Sequence, residues 1–319
     1  MKIYRSIQAF QEVHIPNPVI TFGSFDGVHL GHSFIFEKMS EYAHSINGET
    51  VVTTFHPHPR KVIYPDDRSM KMLTPIEEKI DLLKKQNIDH LVIIPFSIEF
   101  SQMSPNEYIE SFIIRYFKPH TVMIGYDHRF GLNRSGDINS LLPYQEKGDF
   151  IVTKLPQKKI DNLKISSTLI RRALEGNQVE QANKMLGYPY TLKGQVVHGE
   201  KMGEKLGFRT ANISVEEDEK LIPGNGIYAV TAFVQQQLYQ GMLYIGTKST
   251  LPSGGDVSIE VHLFDFNKDI YHEEIAIGLV AFVRKDATFD SLEELSENIQ
   301  ADQEKTLKLL DGEKANIQS

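Results

Sequence analysis

The chain has 319 residues, 40% hydrophobic and 24% charged, a balance that supports buried cores and excludes a wholly disordered protein. A formal net charge of -8 excludes a basic-surface binder of nucleic acid or anionic membrane, and the lack of cysteine excludes disulfides and thiolate chemistry. The length exceeds one ordinary core, so two domains are expected, and no apolar run approaches the roughly 20 residues that span a bilayer.

At the N-terminus, residues 1–10 show no basic stretch followed by an apolar one, so no secretory signal is expected and a cytoplasmic location follows. The apolar runs 19–22, 51–54, 91–94 and 121–124 then read as buried strands, with helical stretches at 33–45, 74–86 and 105–117 between them. Strands alternating with helices of this length predict right-handed crossovers and a parallel, Rossmann-like sheet that binds ligands at its strand ends. Residues 166–186 carry a helical apolar face of Leu169, Ala173, Leu174, Val179, Ala182 and Leu186, broken at 187–190. That break sets the expected division into a 1–187 domain and a 188–319 domain. Beyond it, short strands at 192–197, 227–234, 243–245, 257–264 and 275–283 predict a small antiparallel β-barrel, closed by a helix over 291–310. The acidic run at 216–219 reads as a solvated loop.

Two stretches carry chemistry in the first half. Residues 23–32 read GSFDGVHLGH directly after a strand and lead into a helix. Glycines there let backbone approach phosphate, and the helix start turns free amides and its positive dipole end to the same place. His29 and His32 lie three residues apart at this turn, where two imidazoles can donate to oxygens that gain charge during phosphoryl or nucleotidyl transfer. The chain holds no G-x-x-x-x-G-K-[ST] sequence, so the common phosphate loop of kinases does not compete. Residues 165–171 read ISSTLIR, in which Ser166, Ser167 and Thr168 can cap a helix while their hydroxyls and Arg171 hold a triphosphate.

In the second half, residues 194–212 read GQVVHGEKMGEKLGFRTAN. Gly199, Gly203 and Gly207 make a loop whose amides can wrap a phosphate chain, with Lys205 adding positive charge. Thr210 and Asn212 fall on one side of an extended segment, and two neutral oxygens so placed suit a Mg²⁺ that keeps waters and nucleotide oxygens. In residues 257–266, VSIEVHLFDF, Glu260 faces away from the apolar side of its strand, where a carboxylate can take a proton from an attacking hydroxyl.

These segments, in this order, resemble the prokaryotic bifunctional riboflavin kinase and FAD synthetase family. Residues 23–32 look like its G-x-F-D-G-x-H-x-G-H signature, 54–59 (TFHPHP) like T-F-x-P-H-P, and 125–131 (GYDHRFG) like G-x-D-F-R-F-G with His128 in place of phenylalanine. Residues 194–212 resemble the riboflavin kinase signature, with Arg209 where the family has proline. The resemblance implies ATP against Gly23, Phe25, Gly31 and residues 166–168 and 171, and flavin against Asp26, His58, Asp127, Arg129 and Arg284. It further implies that riboflavin, FMN and ATP are the substrates, that FMN and FAD are the product ligands, and that Mg²⁺ assists. Glu260 is then the expected base for riboflavin, with His29 and His32 the charge stabilisers for adenylylation.

Further departures at Lys248, Ser249, His272 and Asp286 fall in the kinase half, which is expected to be the slower one. Two other readings stay open at this stage. One is a one-reaction FMN adenylyltransferase whose barrel only binds flavin, the other a flavin sensor without turnover. No nucleic-acid or membrane partner is expected, and self-assembly is left open.

Overall fold

A computed structural model describes residues 1–67, 69–160, 163–199, 208–215, 219–247 and 257–317. By internal contacts the chain forms two compact units, Met1–Ser167 and Thr168–Ser319.

The first unit is built on six parallel strands: β1 (Lys2–Tyr4), β2 (Val19–Phe22), β3 (Thr50–His56), β4 (His90–Pro95), β5 (Thr121–Ile124) and β6 (Ile151–Lys154), in spatial order β1-β4-β3-β2-β5-β6. A parallel sheet covered on both faces needs apolar residues on both, which is why these strands read as continuous apolar runs. Successive residues divide between two cores. Ile20, Val51, Val92 and Val122 face the helical segment Tyr108–Phe117, whereas Val19, Val52, Leu91 and Met123 face helices Leu30–Ser45 and Ile76–Lys84. Within the helical stretch expected at 105–117, Tyr108–Phe117 winds as a π-helix, with Tyr108 and Phe117 edge-on and Phe112 tilted to Phe22. Both β3 and β5 flank β2, so the strand order reverses there and leaves a crevice at the carboxyl ends of β2 and β5, the usual ligand position in such sheets.

A small hairpin, β7 (Lys159–Ile160) and β8 (Leu163–Lys164), precedes the second unit. The expected helical stretch 166–186 is two helices, Ser167–Glu175 and Val179–Leu186, separated where Asn177 takes a left-handed φ of 60°. Residues 168–186 pack with the barrel: Leu174 O accepts from Gly224 N at 3.1 Å, and the Asn183 amide donates to Leu279 O at 2.8 Å. Compact packing thus divides the chain at residue 167, ahead of the break at 187.

The barrel comprises β9 (Tyr190–Val197), β10 (Ala211–Ser214), β11 (Gly226–Val234), β12 (Gln237–Thr247), β13 (Val257–Leu263) and β14 (Glu274–Arg284). They close antiparallel in the order β10-β13-β12-β11-β14-β9. Closure removes the exposed strand edges. Ile259, Val261 and Leu263 are buried along β13 while Ser258, Glu260 and His262 lie on its other face. The terminal helix, Leu292–Ile317, packs on β11, β12 and β14 and buries Leu310 among Ala229, Val280 and Val283.

Candidate active sites

The loop from Gly23 to His29 leaves the end of β2 and feeds helix Leu30–Ser45. Its backbone is held in unusual conformations: Phe25 and Val28 have φ of 44° and 34°, and Gly27 has 83°. A β-branched residue in the left-handed region is a genuine outlier and persists only where surrounding bonds enforce it. Those bonds come from the segment ahead of helix Ile76–Lys84. The Asp26 carboxylate accepts from the Leu73 and Thr74 amides at 3.1 and 3.0 Å, and Thr74 Oγ1 accepts from Gly27 N at 2.9 Å. Asp26 is only 1% exposed, and its carboxylate fixes the loop.

His29 caps the helix, its Nδ1 accepting from His32 N at 3.4 Å, which leaves the proton of the neutral ring on Nε2. The two imidazoles stack, with centroids 3.6 Å apart and planes 15° apart, and Phe25 meets His32 edge-on at 5.1 Å. Burial pushes His29 down to about 4, and burial, His29 and the Lys79 ammonium hold His32 well below the usual imidazole range. Both rings are therefore neutral at pH 7 and can donate hydrogen bonds without carrying charge of their own. His32 Nδ1 is buried and has no hydrogen-bond partner among the described residues. Gly31 permits this stacking, because a Cβ there would stand 3.1 Å from His29 Cε1. At Gly23 a Cβ would press on the Phe25 ring at 2.8 Å.

Around the same strand ends, Ser167 Oγ donates to Asp26 O at 2.9 Å and so ties the ISSTLIR segment to the loop. Ser166 is partly buried, whereas Thr168 and Arg171 fall just past the division between the compact units. His58 caps the short helix Pro59–Ile63 by accepting from Arg60 N at 3.2 Å. Beyond β5, a cavity of about 280 Å³ is lined by Gly125, Asp127, His128, Arg129, Asp137 and Lys154. Arg129 pairs with Asp137 at 2.9 Å rather than with Asp127. Burial lowers His128 to about 4.

Several participants lie outside every motif, among them Thr74, Asp137, Lys154 and Lys79. Lys79 is 3% exposed and donates to Ser24 O at 2.7 Å. Its sequence signal is a lysine one turn before Leu83 and next to Ile80, on the apolar stripe of its helix.

On the barrel, Glu260 of β13 stands in register with Asn212 of β10 and with Tyr244 of β12. Its carboxylate accepts from Thr210 Oγ1 at 3.2 Å and Ser258 Oγ at 3.1 Å. Asn212 packs so closely on Gly199 that a Cβ there would meet its Nδ2 at 1.9 Å. Arg209, which replaces the expected proline, turns to Asn267 at 2.7 Å and leaves Thr210 on the Glu260 side. Tyr244 donates to Asp286 at 3.0 Å; burial, then Asp286 and Glu260, push its hydroxyl up to about 12. Arg284 forks onto the nearly buried Asp302 of the terminal helix, with contacts of 2.9 and 2.7 Å. Gly203, Lys205, Gly207, Lys248, Ser249 and residues 216–218 of the acidic run lie outside the described residues.

Comparison with known proteins agrees with this two-site layout. The FAD synthetase family model matches residues 12–169 and the riboflavin kinase model matches residues 186–310. A protein of Listeria monocytogenes named bifunctional riboflavin kinase/FMN adenylyltransferase is 38% identical over 290 residues, 91% of each chain. This chain belongs to that bifunctional family. Members from Bacillus subtilis and Escherichia coli K12 are 35% and 30% identical, over 91% and 95% of this chain and 92% and 96% of their own. A solved structure from Streptococcus pneumoniae, titled a macrolide-efflux protein, superposes with a TM-score of 0.86 at 29% identity, covering 95% of this chain and 97% of its own. That title concerns the other protein; among the described residues here, no helix is long and apolar enough to cross a membrane.

Proposed function

We propose that this chain makes FAD from riboflavin in two ATP-dependent steps, phosphorylating riboflavin to FMN and then adenylylating FMN with release of pyrophosphate. The observation that carries this reading is the serial match to both the FAD synthetase and the riboflavin kinase families. It disfavours an enzyme limited to the second step.

In the first step a riboflavin hydroxyl oxygen attacks the γ-phosphorus of ATP, the bond to ADP breaks, and Glu260 takes the hydroxyl proton. Support comes from its hydroxyl-flanked carboxylate on the solvent-facing side of β13. Oxygen donors from Thr210 and Asn212 beside that carboxylate suit a hard cation, and those two residues would hold Mg²⁺. When bound, the ion offsets charge on the phosphate oxygens. The described part of the glycine loop, Gly199, would cradle the nucleotide with Gly203, Lys205 and Gly207.

In the second step a phosphate oxygen of FMN attacks the α-phosphorus of ATP and the bond to the β-phosphate breaks. Neutral His29 and His32 donate to the oxygens that gain charge, in a preorganised pocket where little reorientation is needed. Gly23, Phe25, Gly31, Ser166, Ser167, Thr168 and Arg171 are proposed to surround ATP. His58, Asp127 and Arg129 are proposed to border the flavin phosphate, supported by the cavity beside β5. Functionally the division is proposed at 187/188, two residues into the riboflavin kinase match that begins at residue 186. A cytoplasmic setting is proposed, and the charge of -8 gives no support for nucleic-acid partners.

A time course separating riboflavin, FMN and FAD by chromatography, with ATP and Mg²⁺, tests the reading. Riboflavin alone should give FMN and then FAD, with the kinase step slower. FAD from added FMN but none from riboflavin would restrict the chain to one reaction.

A further inference from the structure

We infer that Lys79 is a positioning residue for adenylyl transfer, tethering the Ser24 carbonyl and setting a buried cation within electrostatic reach of the His29–His32 pair. The inference rests on the reading that this pair serves the second step.

Lys79 reaches the loop from helix Ile76–Lys84, 55 positions away in sequence, and bonds Ser24 O at 2.7 Å. Thr54 Oγ1 donates to the same carbonyl at 3.2 Å, so Ser24 is gripped from two elements immediately before the left-handed Phe25. Asp26, one residue further on, is gripped by Leu73 and Thr74. The acceptors on either side of Phe25 are thus both engaged by the single segment 73–79, and the conformation that presents His29 depends on it.

Burial of an ammonium is costly, and a neutral carbonyl does not cancel its charge. Burial accordingly lowers the Lys79 pKa, while the Asp26 carboxylate favours the ammonium, whose field extends across the loop. The groups facing His32 are His29 and Lys79; those facing His29 are Asp26 and Asp127. Lys79 disfavours a proton on His32, keeping the ring a neutral donor, and adds a fixed positive charge where an ATP phosphate chain would gain negative charge.

The test compares Lys79→Met, which removes tether and charge, with Lys79→Gln, which keeps a donor without charge, and with His32→Ala, all in the full chain. FAD formation from FMN is followed against pH, and FMN formation from riboflavin on the same chain serves as an internal control. For Lys79→Met, kcat for adenylylation should fall about 30-fold or more, the magnitude of losing one preorganised electrostatic group, with the KM for ATP changing far less. The acid limb of its pH profile should move toward the ordinary imidazole range, and the kinase rate should hold. Lys79→Gln should fall between wild type and Lys79→Met, with the same shift of the acid limb.

An unchanged adenylylation kcat and acid limb in folded Lys79→Met overturns the inference, as does wild-type behaviour of Lys79→Gln. Loss of the N-terminal unfolding transition in both Lys79 variants assigns the residue to folding alone and also overturns it. Should His32→Ala leave FAD formation intact, the site reading itself fails; should His32→Ala stop it while Lys79→Met does not, only the inference falls.

Discussion

His29 and His32 lie face to face, ring centroids 3.6 Å apart, with the Nδ1 of the first accepting the backbone amide of the second. Two imidazolium rings at that spacing would repel strongly, which together with burial favours the neutral form of the pair at pH 7. In the proposed reaction, replacing His32 by alanine removes one donor to the oxygen that gains negative charge. FAD formation should fall by about 10²-fold or more while FMN accumulates, checked by chromatography of the reaction products.

The same burial gives a pH signature. His29 is near 4 when folded and near 6.5 when unfolded, so between these values the unfolded chain binds more protons. Stability from this group is complete above about pH 6.5 and is lost as pH falls toward 4, at most about 3 kcal/mol. The first unit should thus unfold at lower urea at pH 4.5 than at pH 7.5. In His29→Gln that difference should shrink, read by circular dichroism at both pH values. Adenylylation should likewise keep its rate through pH 6, with no acid limb at the ordinary histidine value.

Glu260 receives hydroxyls from Thr210 and Ser258 and can take one proton from an attacking alcohol. Glu260→Gln keeps the shape and removes the basic oxygen. FMN formation should drop about 10²- to 10⁴-fold, while FAD is still made from added FMN at the original rate. Loss of both activities would mean that the substitution acts through folding.

Arg284 and Asp302 join β14 to the terminal helix, and the Asp302 side chain is only 8% exposed. Asp302→Asn leaves the guanidinium without its charged partner and should cost about 2–3 kcal/mol, toward the lower end for a pair that is partly open to solvent. Faster amide exchange across Leu292–Ile317 and a lower melting temperature of the barrel would register the change. Adenylylation should be untouched.

The loops that carry chemistry could be read from sequence because each is a contiguous run. Residues 23–32 announce a strand, a glycine turn and a helix start together, and alternation along 257–263 already turned Glu260 away from the core. The short edge strands β1 and β6 went unread because three or four half-exposed residues leave no periodic pattern. Helix 166–186 read as one because its apolar spacing continues through Gly176 and Asn177; the break appears only where the Asn177 amide reaches Tyr228 of the barrel.

Sequence by itself determined that two glycine-bearing turns follow strands, one with paired imidazoles in a parallel sheet and one with neutral oxygens in an antiparallel barrel, where Glu260 stands on a separate strand. Tertiary structure alone decided what supports them. Asp26 turns inward to Leu73 and Thr74, Arg284 is taken by Asp302, and Lys79 is buried against Ser24. The physical reason is separation: local backbone preference acts over a few neighbouring residues, whereas the burial and pairing of a charge are set by partners dozens of positions away that meet only once the layers pack.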